Sequence, residues 1–415
     1  MRANFIILSW KYWEQPLRAQ PLTQMYLATI LEERGVSIKF TDFRDGPKKP
    51  EDADIYFYTV ASPDFEEVKE IVANIRKTSK SPHIAGGAHP NIFPQESLEI
   101  FDSIVLGRGE ESIVQVTKDI LNNKLKKTYD MPANGEYPFP KRHFLPKEKI
   151  ITSLFKTENI PSTTVLFSHG CPYYCSFCAN YNRMPIQRRS IESISNELDY
   201  LKKEYGLKGV SLQDEICFPS NPNEFFNFMN LMKSKDILWR GQARAGINEA
   251  DIQEASKSNC LELSIGLESV DQNVLNIARK GIKVEMARQT MDYCKKYGIK
   301  VRLYLLNGLP GEPKDIVERT KQFINETNPD VVLLSTLQPY PGCDIYNNPK
   351  KYGIKWIDKD FTKYNHLRCR FADSKDKIEE AVPFEYVKGR GFTRKQIMSN
   401  LIEMQTFLRE RGLNK

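Results

Sequence analysis

The chain has 415 residues, 40% of them hydrophobic and 27% charged, with a formal charge of +7. That length accommodates two or three domains with full cores. The composition excludes a disordered or fibrous protein, and no apolar run is long enough to span a bilayer. The excess of 60 Lys and Arg over 53 Asp and Glu supplies no basic stripe of the kind nucleic acid requires.

In chain order, the first segment, Phe5 to Leu8, reads as a buried strand. Its apolar stretch is too short for a leader and no small-residue cleavage site follows, so a cytoplasmic protein is expected. Leu22 to Arg34 has helical periodicity and stops at Gly35. Strands follow at Ser37 to Thr41 and Ile55 to Val60, then a helix at Asp64 to Lys77. Two short strands, His83 to Ala85 and Ser103 to Leu106, and a helix at Glu111 to Asn122 complete the series. Such alternation predicts a doubly wound parallel sheet over residues 1–125. Ligands sit at the carboxyl ends of the strands in these sheets. Here those ends carry Ser62, Gly86 and Gly87, and Gly107 with Gly109 and Glu110. Residues 126–161, with five prolines, read as a connector.

A second alternating series starts at Thr163. Strands are expected at Thr164 to Ser168, Gly209 to Leu212, Leu238 to Gln242, Leu261 to Gly266, Lys300 to Leu306 and Val331 to Ser335. Helices are expected between them at Ile191 to Tyr205, Pro222 to Lys233, Glu249 to Ser258, Glu285 to Tyr297 and Pro313 to Asn325. Six strands fall short of the eight that close a barrel, so residues 162–342 predict a partial, open-sided one. Residues 343–415 form an extension ending in an amphipathic helix with Ile397, Leu401, Met404 and Leu408 near helical spacing.

Eight cysteines are present and none precedes Cys171. A secreted disulfide framework would spread them over a smaller chain. Instead Cys171, Cys175 and Cys178 crowd into His169-Gly170-Cys171-Pro172-Tyr173-Tyr174-Cys175-Ser176-Phe177-Cys178, just past the first strand of the barrel-like series. With His169 they form the donor set of a Cys3His zinc site. They are also the donor set of an iron–sulfur cluster with one open iron, and redox sensing is a third reading.

The spacing C-x3-C-x-aromatic-C, with Phe177 as the aromatic, resembles the signature of the radical S-adenosylmethionine (SAM) superfamily. The resemblance implies a [4Fe–4S] cluster on Cys171, Cys175 and Cys178, whose open iron chelates SAM. One electron then cleaves SAM to a 5′-deoxyadenosyl radical that abstracts hydrogen from an unactivated C–H bond. It further implies SAM contacts at the other strand ends: Phe177, Asp214 and Glu215, Arg244 for the carboxylate, Glu268 and Ser269 for the ribose, and Gly308 and Leu309 beside the adenine. Each has a plain structural alternative as a cap, an ion-pair partner or a turn. Cys217 and Tyr340 lie where they could serve hydrogen transfer, although a free cysteine is more often a packed core thiol.

The first series is similar to the cobalamin-binding domain fused to many radical SAM enzymes, on Gly86-Gly87-Ala88-His89-Pro90 and Phe101 through Glu110. The implied fold is α/β: an N-terminal doubly wound cobalamin-binding-like domain, a partial (βα)6 radical SAM barrel and an α-rich C-terminal extension. The corrin would lie on the strand ends, with its tail near Ser62 and the glycine loops. Asp42-Phe43-Arg44-Asp45-Gly46 stands where some cobalamin domains carry Asp-x-His-x-x-Gly and has no histidine, so no protein histidine is expected below cobalt. Trp10, Tyr12 and Trp13 lie in the first strand-end loop, near the corrin or as packing.

The combination implies a cobalamin-dependent, oxygen-sensitive C-methyltransferase fed by an external electron donor such as ferredoxin or flavodoxin. Its substrate is a small molecule or a protein or peptide side chain. Alternatives are a cyclase, ring-contracting enzyme or oxidoreductase without methyl transfer and, in a different class, a non-catalytic metal-stabilised binding protein. Transfer-RNA methylthiolation would need three cysteines in the first domain, which has none. Specificity is expected in residues 343–415, whose aromatic and basic residues include Tyr352, Trp356, Tyr364, His366, Arg368, Arg370, Phe371, Phe384 and Tyr386.

Overall fold

The computed structural model describes residues 1–11, 15–133, 138–153, 160–179, 185–219, 221–364 and 382–414. Tyr12, Trp13, His366, Arg368, Arg370 and Phe371 lie outside them. The chain divides into two units, residues 1–152 with 192–205, and residues 153–191 with 206–415.

The first unit contains β1 (Arg2–Ile7), α1 (Leu22–Glu32), β2 (Ser37–Asp42), β3 (Ile55–Thr59), α2 (Phe65–Arg76), β4 (His83–Gly86), α3 (Ala88–Ile92), α4 (Pro94–Leu98), β5 (Ser103–Val105), α5 (Glu110–Leu121), β6 (Thr128–Tyr129) and α6 (Lys147–Ile150). The strands form one parallel sheet in the order β2-β1-β3-β4-β5-β6. β3 shows why the sheet is doubly wound. Tyr56 and Tyr58 enter one core with Phe65, Val68 and Val72 of α2, while Ile55 and Phe57 enter the other with Ala28, Ile30 and Val116 of α1 and α5. The order reverses between β1 and β3, the switch point at which sheets of this 2-1-3-4-5 type bind ligands.

Two histidines of this unit are enclosed. His83 shares a 2.8 Å hydrogen bond with the Tyr58 hydroxyl and stacks on Tyr56. His89 meets the Ser62 hydroxyl at 3.1 Å and stacks on Phe65. Burial pushes both down to about 4, with Arg76 adding to the effect at His83 and Lys69 at His89. In the unfolded chain they titrate near their ordinary value, so between about pH 6.5 and pH 4 the unfolded state holds protons that the fold refuses. Stability therefore falls as pH drops through that window. Thermal unfolding recorded at pH 7, 6 and 5 is expected to show a declining midpoint, flattened in a His83→Gln/His89→Gln variant. A wild-type midpoint constant over that range would contradict the assignment.

The second unit carries β7 (Thr152–Ser153, at the boundary), β8 (Pro161–Val165), β9 (Ser168–His169), β10 (Gln187–Arg188), β11 (Gly209–Leu212), α8 (Pro222–Lys235), β12 (Leu238–Arg244), α9 (Glu249–Lys257), β13 (Cys260–Glu268), α10 (Gln272–Ile277), α11 (Val284–Lys296), β14 (Lys300–Asn307), α12 (Ile316–Thr327), β15 (Val331–Thr336), α13 (Asp344–Asn347), β16 (Ile354–Ile357), β17 (Phe384–Tyr386) and α14 (Arg394–Glu410). The helix α7 (Ile191–Tyr205) groups with the first unit, where Glu197 forms a fully buried ion pair with Arg142. The main sheet runs β15-β14-β13-β12-β11-β8-β7. Trp239, Leu263, Ile265 and Leu303 are fully buried, and Trp239 packs on Phe228 of α8. Intervening residues such as Arg240, Gln242 and Arg302 face the other way, so helices cover one side of the sheet and the concave side remains polar. Local signals set the helix starts. Asn221 accepts from the Asn223 and Glu224 amides ahead of α8, Asp271 caps α10, and Thr393 and Gln396 form a capping box on α14.

Several boundaries differ from expectation. The first barrel strand stops at Val165 instead of Ser168, because Ser168 and His169 leave the sheet to pair antiparallel with Arg188 and Gln187. The proline-rich connector contributes β6 to the first sheet, and at its end β7 adds a seventh strand to the second. The C-terminal extension holds, besides α14, the antiparallel pair β16 and β17. Tyr364, Phe384 and Tyr386 there are buried, which makes them packing rather than an open aromatic groove.

Candidate active site

The cysteine loop stands on two feet. His169 pairs with Gln187 and Ser168 with Arg188, closing the loop at its base. Asp214, just past β11, clamps that base. It accepts from the Phe167 amide at 2.8 Å and from the Ser168 hydroxyl, and Arg188 lies 3.5 Å away. Arg188 also donates to the Cys217 carbonyl at 2.9 Å. Asp214 is fully buried, and that burial pushes its carboxyl up despite Arg188 and the donors that oppose the shift. The residue expected to contact SAM is thus enclosed and engaged as a brace for the loop.

Within the loop, Cys171 and Cys178 are half-buried and Cys175 is buried. The middle of the loop is tied down by its backbone: the Ser176 amide donates to the Ala278 carbonyl after α10 at 2.8 Å, and its carbonyl accepts from Ile345 of α13 at 3.0 Å. Burial raises the Cys171 thiol, as do Cys175 and Glu215 nearby, while the Tyr173 amide and Arg244 act the other way. Among the described residues no three His, Cys, Asp or Glu side chains converge as a single metal ion requires. That spread argues against the Cys3His zinc reading. A polynuclear cluster does not require that convergence, because each thiolate binds its own iron.

Other strand ends gather around this loop. The Arg244 guanidinium lies 3.7 Å over the Tyr173 ring and donates to the Lys280 carbonyl. Lys280 pairs with Glu268 at 2.8 Å and lies over Phe177 at 5.8 Å. Glu268 itself has φ +73°, a left-handed conformation costly outside glycine that recurs at functional sites. Ser269 is buried and accepts from the Asp271 amide. Glu215 carries a buried carboxylate oxygen with no partner. Its carboxyl is raised by burial and by Asp214 beside it. Gly308 and Leu309 present their amides to Glu312, at 2.9 and 3.0 Å, and the Gly308 carbonyl accepts from Tyr386 at 2.9 Å. Burial pushes Glu312 up to about 8 against those two amides. Glu268, Ser269 and Glu312 also line a small crevice shared with Ile316, Val317 and Thr320 of α12 and Met404 of α14. Tyr340 is half-buried, its ring 5.5 Å from that of Tyr364.

Cys217 requires a correction. It is fully buried, and a Cβ on Gly241 would stand 2.7 Å from its own. Burial, then Asp214, drive its thiol well above the ordinary range. It is a packed core thiol with no surface from which to act in hydrogen transfer. Cys217→Ala is expected to lower the melting midpoint by a few degrees, as small core cavities do, while turnover stays within about twofold, since no catalytic contact is lost. A collapse of turnover in a folded variant would return the residue to the site.

Lys280 and Arg188 carry no local sequence signal that marks them for the site. Each acts through a partner distant in sequence, Glu268 and Asp214, and neither lies in a motif. The short helix α10, which positions Lys280, had no periodic signature.

In the first unit, Ser62, Gly86 and Gly87 lie together at the ends of β3 and β4. The Val60 amide donates to the Gly86 carbonyl at 2.9 Å and the His89 amide to the Val60 carbonyl at 3.0 Å. Gly87, at φ +101°, admits no side chain, because a Cβ would stand 2.9 Å from the Val60 backbone. Asn91 links this edge to β5, bonding the Gly87 carbonyl and the Gly107 amide. Gly109 packs against Leu27, and Glu110 is buried and paired with Arg108. The glycines thus join three strand ends into one edge. His89 Nε2 is buried on it with no hydrogen-bond partner, 3.6 Å from Glu96.

The second unit is thus a curled parallel sheet with three thiols in a braced loop beyond β8. Residues 165–324 match the Radical SAM superfamily model, so this part of the chain is similar to radical SAM domains. The chain is 26% identical to an uncharacterised methyltransferase of Pyrococcus horikoshii, over 79% of this chain and 77% of that protein. It is 23% identical to the bacteriochlorophyllide d C-8(2)-methyltransferase of Chlorobaculum tepidum, over 84% and 80%. The fold matches that of the radical SAM methyltransferase TsrM from Kitasatospora setae, solved with cobalamin and a [4Fe–4S] cluster, with a TM-score of 0.66 and 17% identity over 85% of this chain and 78% of that one. No helix among the described residues is long and apolar enough to cross a membrane.

Proposed function

We propose that the protein is a cobalamin-dependent radical SAM methyltransferase acting on an unactivated carbon. The observation that carries the proposal is the braced three-cysteine loop at the end of the first strand of an open parallel sheet, in a chain whose other unit is a 2-1-3-4-5 sheet with a glycine-lined edge. Cys171, Cys175 and Cys178 would hold the cluster, and the β3 to β5 edge with Ser62, Gly86, Gly87 and Gly107 would hold cobalamin. When bound, the cluster supplies the electron that cleaves SAM, and cobalamin supplies the methyl group.

The chain's own residues do the rest. Arg244, fixed by Tyr173 and the Lys280 carbonyl, meets the SAM carboxylate as a guanidinium does best. The unpartnered oxygen of Glu215 takes the amino group. Glu268, locked by Lys280, and Ser269 face the ribose, and the Gly308–Leu309 backbone, fixed by Glu312 and Tyr386, flanks the adenine. Phe177, beneath the Lys280 ammonium, forms an apolar wall of the loop, and an external reductant such as ferredoxin or flavodoxin delivers electrons.

The test is anaerobic incubation of the reconstituted full chain with methyl-labelled SAM, cobalamin and a fractionated extract. Formation of both 5′-deoxyadenosine and S-adenosylhomocysteine, with label in a third molecule, supports the reading. Deoxyadenosine alone would replace it with a radical reaction lacking methyl transfer. Neither product would leave a binding protein.

A further inference from the structure

The concave side of the second sheet carries an unexpected row. Gln242 of β12, Ser264 of β13 and Arg302 of β14 are register partners, so their side chains stand side by side on one face, roughly 5 Å apart. Trp239 and Gly241, flanking Gln242 in the alternation, face the core, which directs Gln242 to the opposite side. Parallel barrels normally fill this interior with branched apolar side chains. Here an amide, a hydroxyl and a guanidinium occupy three adjacent central strands, and Gln242 is exposed to solvent with a strand on either side.

Arg302 is held in place. Its Nε and Nη2 donate to the two Glu262 oxygens at 2.8 and 2.9 Å, and its side chain is 13% exposed. Glu262 also lies 3.5 Å from Arg240, so its charge is shared between two guanidiniums. The fork leaves Nη1 of Arg302 without a hydrogen-bond partner among the described residues. A fixed guanidinium flanked by a hydroxyl and an amide is a recognition surface for a carboxylate or phosphoryl group. The row also lies at the right depth. Arg244, two residues beyond Gln242 on the same face, touches Tyr173 of the cysteine loop, and two residues of strand rise about 7 Å.

We propose that Gln242, Ser264 and Arg302 form the substrate anchor and that the substrate carries an oxyanion, a carboxylate or a phosphoryl group. This rests on the radical SAM reading and names its substrate class. Anchored by that group, a small molecule extends from mid-barrel toward the cysteine loop and presents its carbon there.

The test uses the full chain with inorganic phosphate and propionate as probes, followed by 31P and 13C line broadening. Saturable broadening is expected. Affinity should fall at least about tenfold in Arg302→Gln, as loss of a charge-assisted contact implies, and severalfold in Gln242→Leu. Preference for phosphate assigns a phosphoryl substrate, and preference for propionate a carboxylate. No saturable binding, or equal binding in both variants, overturns the proposal. Should Arg302→Gln fail to fold, the exposed Gln242→Leu decides alone. The titration needs neither SAM nor cobalamin, so its failure is distinguishable from failure of the labelled-SAM experiment.

Discussion

Alanine in place of Cys175 is expected to abolish SAM cleavage while leaving the protein folded. Cys175 is buried, and the loop around it is fixed by backbone hydrogen bonds, the Ser176 amide donating to Ala278 and the Ile345 amide to the Ser176 carbonyl, which the substitution does not touch. The loop therefore keeps its course and loses a thiolate. An iron–sulfur cluster deprived of one of three protein ligands loses the anchor of one iron, and His169 sits in the paired foot of the loop. Enzymatic accelerations of about a millionfold or more cannot survive loss of the group that performs the chemistry, so 5′-deoxyadenosine formation should drop to the assay floor. Iron and sulfide content measured after anaerobic reconstitution should fall with it, and the circular dichroism spectrum should not change. Retention of a full cluster and of SAM cleavage by Cys175→Ala would remove Cys175 from the ligand set. Cys171→Ala and Cys178→Ala test the other two positions in the same way.

The parts of this architecture that were legible in the sequence are those written in local pattern. The buried run Ile55 to Thr59 reads as a central strand because both its faces enter cores, and Gly209 to Leu212 falls where its alternation with flanking helices requires. The cysteine spacing is likewise local and needs no tertiary information. What escaped is what depends on distant partners. β6 and β7 have two residues each, too few for any periodicity, and exist only because a sheet edge is available. The strand β8 ends early because Ser168 and His169 find partners twenty and eighteen positions on, a pairing that no propensity announces. Asp214 looked like a ligand residue at a strand end. It proves to be a brace because Phe167, Ser168 and Arg188 converge on it, and that convergence is set by the fold. Gly87 is the reverse case. Its glycine-rich setting suggested a ligand, yet close approach to the Val60 backbone already demands glycine there, so its presence alone says nothing about cofactor.

The brace carries the second large expectation. Asp214 and Arg188 are 0% and 4% exposed at their side chains, and removing one member of such a pair leaves the other charged and uncompensated. Breaking a buried pair in this way costs about 3–5 kcal/mol, far more than the pair contributes relative to an apolar replacement. Asp214→Ala also strips acceptors from the Phe167 amide and the Ser168 hydroxyl, both on the strand that leads into the cysteine loop. The melting midpoint of the second unit, about 250 residues, should fall by roughly 6–10 °C, and the loop should lose its fixed base. Asp214→Asn distinguishes charge from geometry: it can still accept one of those hydrogen bonds but cannot neutralise Arg188, so it should be intermediate in stability. The double variant Asp214→Ala/Arg188→Met removes the stranded charge and should recover much of the lost midpoint without restoring the base of the loop. Measured together, thermal midpoint and iron content should therefore separate, with the double variant stable yet poor in cluster. Recovery of both in the double variant would show that the loop holds its course without the brace, and would return Asp214 to consideration as a residue that acts on SAM directly.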